Sequence, residues 1–178
     1  IKKIYEHYNS PQIDLLVNDD TYQIASLLPH ISNIHTFSYE RKANNRYSQE
    51  AQLLLKLFRK YDLSINLTSS DRSVLYALFA SKKSISVVES NYKKSWWKQK
   101  LLSHFYFYDD TQHILTQNLT PLSILKIHND NILNSLNLKN EALKSVQNKL
   151  DINSIKEFII FHPSAQYLSL IHISEPTR

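Results

Sequence analysis

The strongest constraint on this chain is an alternation along its length. Short apolar runs, bounded by turn-forming residues, alternate with segments whose apolar side chains recur every three to four positions. Residues 13–17 (IDLLV), 34–37 (IHTF), 61–68 (YDLSINLT), 85–88 (ISVV) and 105–108 (FYFY) read as strands. Residues 22–28, 51–60 and 95–103 read as helices, as does the segment capped by residues 69–71, with Pro29 ending the first. In the capped segment Val74, Leu75, Leu78 and Phe79 are expected to face inward, and Lys82 and Lys83 suit its C-terminal end. Residues 39–45 are polar and basic and read as a surface loop. Residues 113–127 return to a helical pattern despite Pro121, and a helix at 140–150 precedes a further strand at 158–161. Such alternation predicts an α/β fold with a Rossmann-like, doubly wound parallel sheet, because a helical crossover carries the chain back to begin the next parallel strand.

Composition narrows the functional classes. The chain has 178 residues, 42% of them hydrophobic, enough for one ordinary core or slightly more. Cysteine is absent, which excludes disulfides and thiolate zinc sites and fits a reducing compartment. No apolar run approaches the roughly 20 residues of a membrane-spanning helix. The formal charge of +5 points to an anionic partner such as a phosphorylated sugar, a nucleotide, nucleic acid or a lipid surface; lysines spread from Lys2 to Lys156 equally describe a solvated exterior.

Both ends read as interrupted. Glycine and methionine are absent altogether, so no start codon is included, and residues 1–8 enter mid-helix without a capping residue. Residues 168–178 (LSLIHISEPTR) read as translated transposon-end and sequencing-adapter DNA, so they are expected to be poorly packed and are set aside. Their removal deletes Glu175 and Arg178 and leaves the charge at +5.

Four segments carry a family likeness: residues 13–17, residues 61–72 (YDLSINLTSSDR), residues 112–119 (QHILTQNL) and residues 158–165 (FIIFHPSA). In this order and spacing the chain resembles glycosyltransferase family 9, in its lipopolysaccharide heptosyltransferase III branch. The resemblance implies the N-terminal half of a two-domain GT-B enzyme that moves heptose from ADP-heptose to the lipopolysaccharide inner core, without metal or other cofactor. It implies a cytoplasmic protein, in peripheral contact with the inner face of the inner membrane. Residues 1–127 would be a partial acceptor-side domain, 128–139 a linker and 140–167 the start of the donor-binding domain. The first strand, with the Gly-Asp turn that supplies the catalytic base, is expected before Ile1, and most donor-binding residues after Tyr167, so no catalytic residue is assigned. Without that strand, the segments at 13–17 and 61–68 should flank an open slot, share no ladder hydrogen bonds and leave the isolated chain with low stability.

In doubly wound sheets ligands bind beyond the carboxyl ends of the strands, which selects residues 18–21, 68–72, 89–91 and 163–166. The candidate acceptor-binding residues are Thr68, Ser70, Asp71 and Arg72. The helix start at Ser70 or Asp71 offers free backbone donors to a phosphate and Arg72 a forked contact, although Ser69, Ser70 and Asp71 are also ordinary capping residues. Ser164, Ala165 and Gln166 would approach the donor diphosphate by family analogy, or simply form a turn after Pro163. His113 and Asn118 match the family pattern, but a His opening a helix is more often a structural hydrogen-bonding residue. Trp96 and Trp97 sit among lysines as in interfacial helices, with packing against the sheet the favoured alternative. A competing function is a basic module binding nucleic acid through residues 93–100 and 139–156, though no recognisable motif supports it. A third is a related transferase using another nucleotide sugar.

Overall fold

The computed structural model describes residues 1–38, 42–128 and 140–150. The chain divides into two compact units, Ile1–Asn137 and Leu138–Arg178. In the second the described element is a helix, α7 (Asn140–Leu150). The expected strand at 158–161, residues 163–166 and the 168–178 tail lie outside the described residues.

The first unit begins with α1 (Lys2–His7) and continues through β1 (Asp14–Asn18), α2 (Tyr22–Ala25), β2 (Asn33–Phe37) and α3 (Lys42–Leu57). It then runs through β3 (Tyr61–Asn66), α4 (Asp71–Ala80), β4 (Ser81–Val88), α5 (Tyr92–Leu101), β5 (His104–Phe107) and α6 (Ile114–Ile124). All strand pairs are parallel, in two sheets: β1 with β2, and β3–β4–β5 with β4 in the middle. The α/β expectation holds. β1 and β3 share no ladder, as the open-slot argument requires.

Side chains, not backbones, close the seam between the sheets. Asp14 and Tyr61 each open their strands, and the Tyr61 hydroxyl donates to Asp14 Oδ2 at 2.7 Å. His35 Nε2 lies 3.0 Å from the same hydroxyl. Tyr61 has one proton and gives it to the carboxylate, so its oxygen accepts from His35 Nε2–H. His35 Nδ1 is then the unprotonated nitrogen, and it is buried without a hydrogen-bond partner. Burial, with Lys56 nearby, holds the imidazole pKa below its ordinary value despite Asp14. Burial pushes the Asp14 carboxyl upward, but hydrogen bonds from Asn33, Tyr61, Gln12 and Lys60 outweigh it and hold the group well below the usual carboxylate range. Burial first, then the Asp14 carboxylate, raises Tyr61.

Above this polar seam lies an apolar one. Leu53 and Leu57 of α3 cluster with Tyr76 and Ala80 of α4, and Leu16, Phe37 and Tyr61 pack against them from three strands. A second cluster, Val74, Val88 and Leu102 with Leu78, Trp97 and Phe105, fills the space between α4, α5 and the larger sheet. Each fully buried aliphatic side chain contributes about 1.5–3 kcal/mol.

Several expectations need correction. Residues 42–45 belong to α3 rather than to a loop: Lys42 and Ala43, with Arg46 after them, are good helix formers that need no apolar pattern and offset the weaker propensity of Asn44 and Asn45. That helix also stops at Leu57, because Arg59 turns with φ 50°. In α4, Leu75 and Phe79 are 42% and 41% exposed, while Tyr76, Ala77 and Ala80 are buried with Val74. The two alanines let the helix lie close to its neighbours, and Tyr76 is drawn in by hydrogen bonds with Glu50 and Arg72. Lys82 and Lys83 lie in β4, which follows α4 without a loop. The last turn of α4 is instead satisfied by Arg59, whose backbone N–H reaches the Phe79 carbonyl at 2.8 Å. The Arg59 guanidinium donates to the Ser81 carbonyl at 2.9 Å. Finally α2 ends at Ala25, and Leu27 and Leu28 continue in tighter turns, because a residue preceding proline is disfavoured in the α conformation.

With no glycine, the left-handed turns among the described residues fall at Asn9, Ser10, His30, Arg59 and Lys126. Lys126 ends α6 in a Schellman motif: Ile127 N–H bonds the Leu122 carbonyl at 2.8 Å and Lys126 N–H that of Ser123 at 3.0 Å.

Candidate functional site

β3 and β4 release the chain side by side, and the loops after them carry the candidate residues. Asn66, at the end of β3, organises the first loop: its Nδ2 donates to the Thr68 carbonyl at 2.6 Å and to Ser86 Oγ at 2.8 Å. Ser70 is the N-cap of α4, accepting from Ser73 N–H at 3.3 Å. After β4, Asn91 caps α5 by accepting from Lys93 N–H at 3.0 Å.

The two loops are tied together by Lys98 of α5, whose side chain is fully buried. An ammonium has three donors, and Lys98 Nζ meets acceptors from three residues: Ser69 O at 2.6 Å, Asp71 Oδ1 at 2.7 Å, and the Glu89 carboxylate, with Oε2 at 2.7 Å and Oε1 at 3.0 Å. Burial lowers the Lys98 pKa, but the hydrogen bonds and charges of Asp71 and Glu89 outweigh it, and the net shift is upward. Lys98 therefore stays charged and holds α5, the β3–α4 loop and the β4–α5 loop in one arrangement.

Beside this cluster lies an open cleft of about 630 Å³ lined by Asp71, Glu89, Lys93, Lys94, Trp96 and Trp97. Its size is that of a small-ligand site. Trp97 packs against the core, as the packing alternative expected. Trp96 is 47% exposed, with Lys100 Nζ 5.6 Å from its ring centroid. The adjacent tryptophans thus divide into a structural and a solvent-facing member.

The four acceptor-side candidates fall in different surroundings. Asp71 lines the cleft, while Ser70 caps α4 and Thr68 supplies a carbonyl to the loop. Arg72 points toward α3: it pairs with Glu50 Oε1 at 2.6 Å, donates to the Tyr76 hydroxyl at 3.1 Å and lies 4.5 Å from the Phe37 ring centroid. Burial works against its charge, while Tyr76 and Glu50 raise its pKa. Burial and the Glu50 contact push the Tyr76 hydroxyl up to about 12. Ser164, Ala165 and Gln166 lie outside the described residues. His113 is the N-cap of α6, its Nδ1 accepting from Leu115 N–H at 3.2 Å, a structural role. Among the described residues no cluster of His, Cys, Asp and Glu could hold a metal, and no helix is long and apolar enough to cross a membrane.

Residue-by-residue reading missed Lys98, which looks like one lysine among several in a basic helix. A signal was present: Ser95, Lys98 and Leu102 fall on one helical face, and all three are buried.

Compared with known proteins, the chain is 25% identical over 175 residues to lipopolysaccharide heptosyltransferase 3 of Escherichia coli (strain K12), an alignment covering 94% of this chain and 49% of that protein. The chain thus spans about half the length of the curated relative it matches. No family model matches, and no solved structure matches.

Proposed function

We propose that this chain is the acceptor-side half of a heptosyltransferase-like glycosyltransferase that moves heptose from ADP-heptose to the lipopolysaccharide inner core. The observation that carries the reading is the similarity to the Escherichia coli protein along 94% of the chain. Parallel sheets flanked by helices, with a cleft beyond the carboxyl ends of β3 and β4, support it. In this reading the acceptor approaches Thr68, Ser70, Asp71 and Arg72, with Asp71 the member that lines the cleft. The donor diphosphate meets Ser164, Ala165 and Gln166, and transfer takes place at the inner face of the inner membrane. In this reading the Gly-Asp turn with the catalytic base and most donor-binding residues are supplied by other parts of the protein, so the 178-residue chain by itself is expected to leave ADP-heptose unchanged.

The decisive experiment incubates the longer gene product with ADP-heptose and heptose-deficient lipopolysaccharide and reads the acceptor mass. Gain of one heptose is the expected result. Transfer only from another nucleotide sugar would overturn the donor, and no transfer from any would overturn the class. The nucleic-acid alternative loses ground because Lys98, within its proposed basic segment, is buried in an ion cluster. Strongly salt-dependent binding to arbitrary DNA would restore it.

A further inference from the structure

We propose that the cleft between the start of α4 and α5 binds a saccharide carrying a single anionic group, with one sugar ring stacked on Trp96. The proposal rests on the glycosyltransferase reading and adds a ligand class and a recognition residue to it.

The argument starts from the cleft walls. Trp96 is 47% exposed beside the cleft, whereas its neighbour Trp97 is half-buried and packs against the core. An exposed indole offers a flat apolar surface bordered by polar groups, which complements the C–H face of a pyranose ring, and the exposed Lys100, 5.6 Å from the Trp96 ring centroid, would be displaced by a sugar that stacks on the same face. Asp71 and Glu89 also line the cleft and, when ionised, are acceptor-only groups. Lys98 engages both, but each carboxylate retains acceptor capacity for sugar hydroxyls, and their side chains are 71% and 32% exposed.

Charge then limits the ligand. Lys98 is enclosed by acceptors from three residues and has no donor left for a ligand, so the free cations of the cleft are Lys93 and Lys94. Two lysines beside two carboxylates suit one phosphate or carboxylate group. They do not suit a nucleoside diphosphate, whose additional charge would face Asp71 and Glu89. A nucleobase could also stack on Trp96, and the carboxylates are what disfavour the nucleotide.

The chain's two tryptophans both line the cleft, so intrinsic fluorescence reports on it directly. The full chain is titrated with mannose 6-phosphate, mannose, ADP and inorganic phosphate, and the longer gene product is titrated in parallel in case the chain does not hold its fold alone. Mannose 6-phosphate should bind saturably and more tightly than mannose. By calorimetry Trp96→Ala should weaken it at least about tenfold with the far-ultraviolet circular dichroism unchanged. Lys93→Gln with Lys94→Gln should reduce mannose 6-phosphate to the affinity of mannose. Tighter binding of ADP, equal competition by inorganic phosphate, unchanged affinity in Trp96→Ala, or no saturable binding in either protein would each overturn the proposal. No donor is present, so this outcome is read independently of whether heptose transfer succeeds.

Discussion

Replacing Tyr61 by Phe removes one oxygen from the seam between the two sheets and keeps the ring that packs against the α3–α4 cluster. Asp14 loses its 2.7 Å hydrogen bond, and the Nε2–H of His35 loses its nearer acceptor and keeps only Asp14 Oδ2 at 3.4 Å. A hydrogen bond to a charged group contributes about 1.5–3 kcal/mol, and an orphaned buried donor costs about 1–3 kcal/mol. Asp14 keeps Asn33 at 2.9 Å, Gln12 at 3.2 Å and Lys60 at 3.4 Å. The sum should therefore fall near its lower bound, about 2.5–3 kcal/mol. Urea titration followed by tryptophan fluorescence, with trimethylamine N-oxide added to give a full folded baseline, would read this directly. For a slope of ~2 kcal/mol/M the midpoint falls by roughly 1.3 M. The pH dependence supplies a second check. The folded pKa of Asp14 lies below its unfolded value of about 3.9, so its contribution is complete above that pH and is lost as pH falls through the folded value. The unfolded pKa is common to both proteins and cancels, so their difference should shrink only as pH falls through the folded values of the variant and then of the parent, both below ~3.9. A difference under about 0.5 kcal/mol at pH 7, or one that already shrinks well above pH ~4, would refute the account of the seam.

Lys98→Met should destabilise by about 2–3 kcal/mol, less than the ~3–5 of a fully buried pair because both carboxylates keep solvent access. Adding Glu89→Gln should recover part of that loss in the same titration, and no recovery would mean that Lys98 acts through packing alone. Ser70→Ala, removing the α4 cap, should cost about 1 kcal/mol, whereas Ser70→Gly should cost only a few tenths. Lys126→Gly, at φ 59°, should raise stability by about 0.5–1 kcal/mol, read as a higher urea midpoint. Deleting residues 168–178 should leave the thermal midpoint and far-ultraviolet spectrum unchanged; a clear loss of stability would show that this segment has evolved contacts.

The elements were legible wherever local periodicity decided them. β1, β2, β3 and β5 emerged within a few residues because their apolar runs are short and bounded, and the Ser70 and His113 caps follow local hydrogen-bond chemistry, whereas α5, expected from residue 95, begins at Tyr92 with Asn91 as its cap. What could not be read depended on residues far apart in the chain. Asp14, His35 and Tyr61 come from three strands, and nothing near any one of them marks it as a member of a cluster. The inward face of α4 was misjudged because Leu75 and Phe79 are large and apolar. Tyr76 took the interior position because Glu50, 26 residues earlier, supplies its hydrogen-bond acceptor. Of the loops selected beyond the strand ends, those after β3 and β4 border the cleft through Asp71 and Glu89, but Arg72 is held by α3, and the residue joining the loops, Lys98, lies on a helix.

The seam also bears on the order in which the chain assembles. β1, α2 and β2 are contiguous in sequence, as are β3, α4, β4, α5 and β5, so each half can close through short loops without waiting for the other. Docking the halves then requires α3 together with side chains from β1, β2 and β3, and those contacts have the longer sequence separations. Two early, independent nuclei followed by a later docking step is the expected kinetic signature, with Tyr61→Phe changing mainly the late phase. Docking does not pair β1 with β3, so until side chains close the seam over them these edges are open to any strand that reaches them first. The yield of correctly folded chain should therefore depend on protein concentration during refolding, even where the final stability does not.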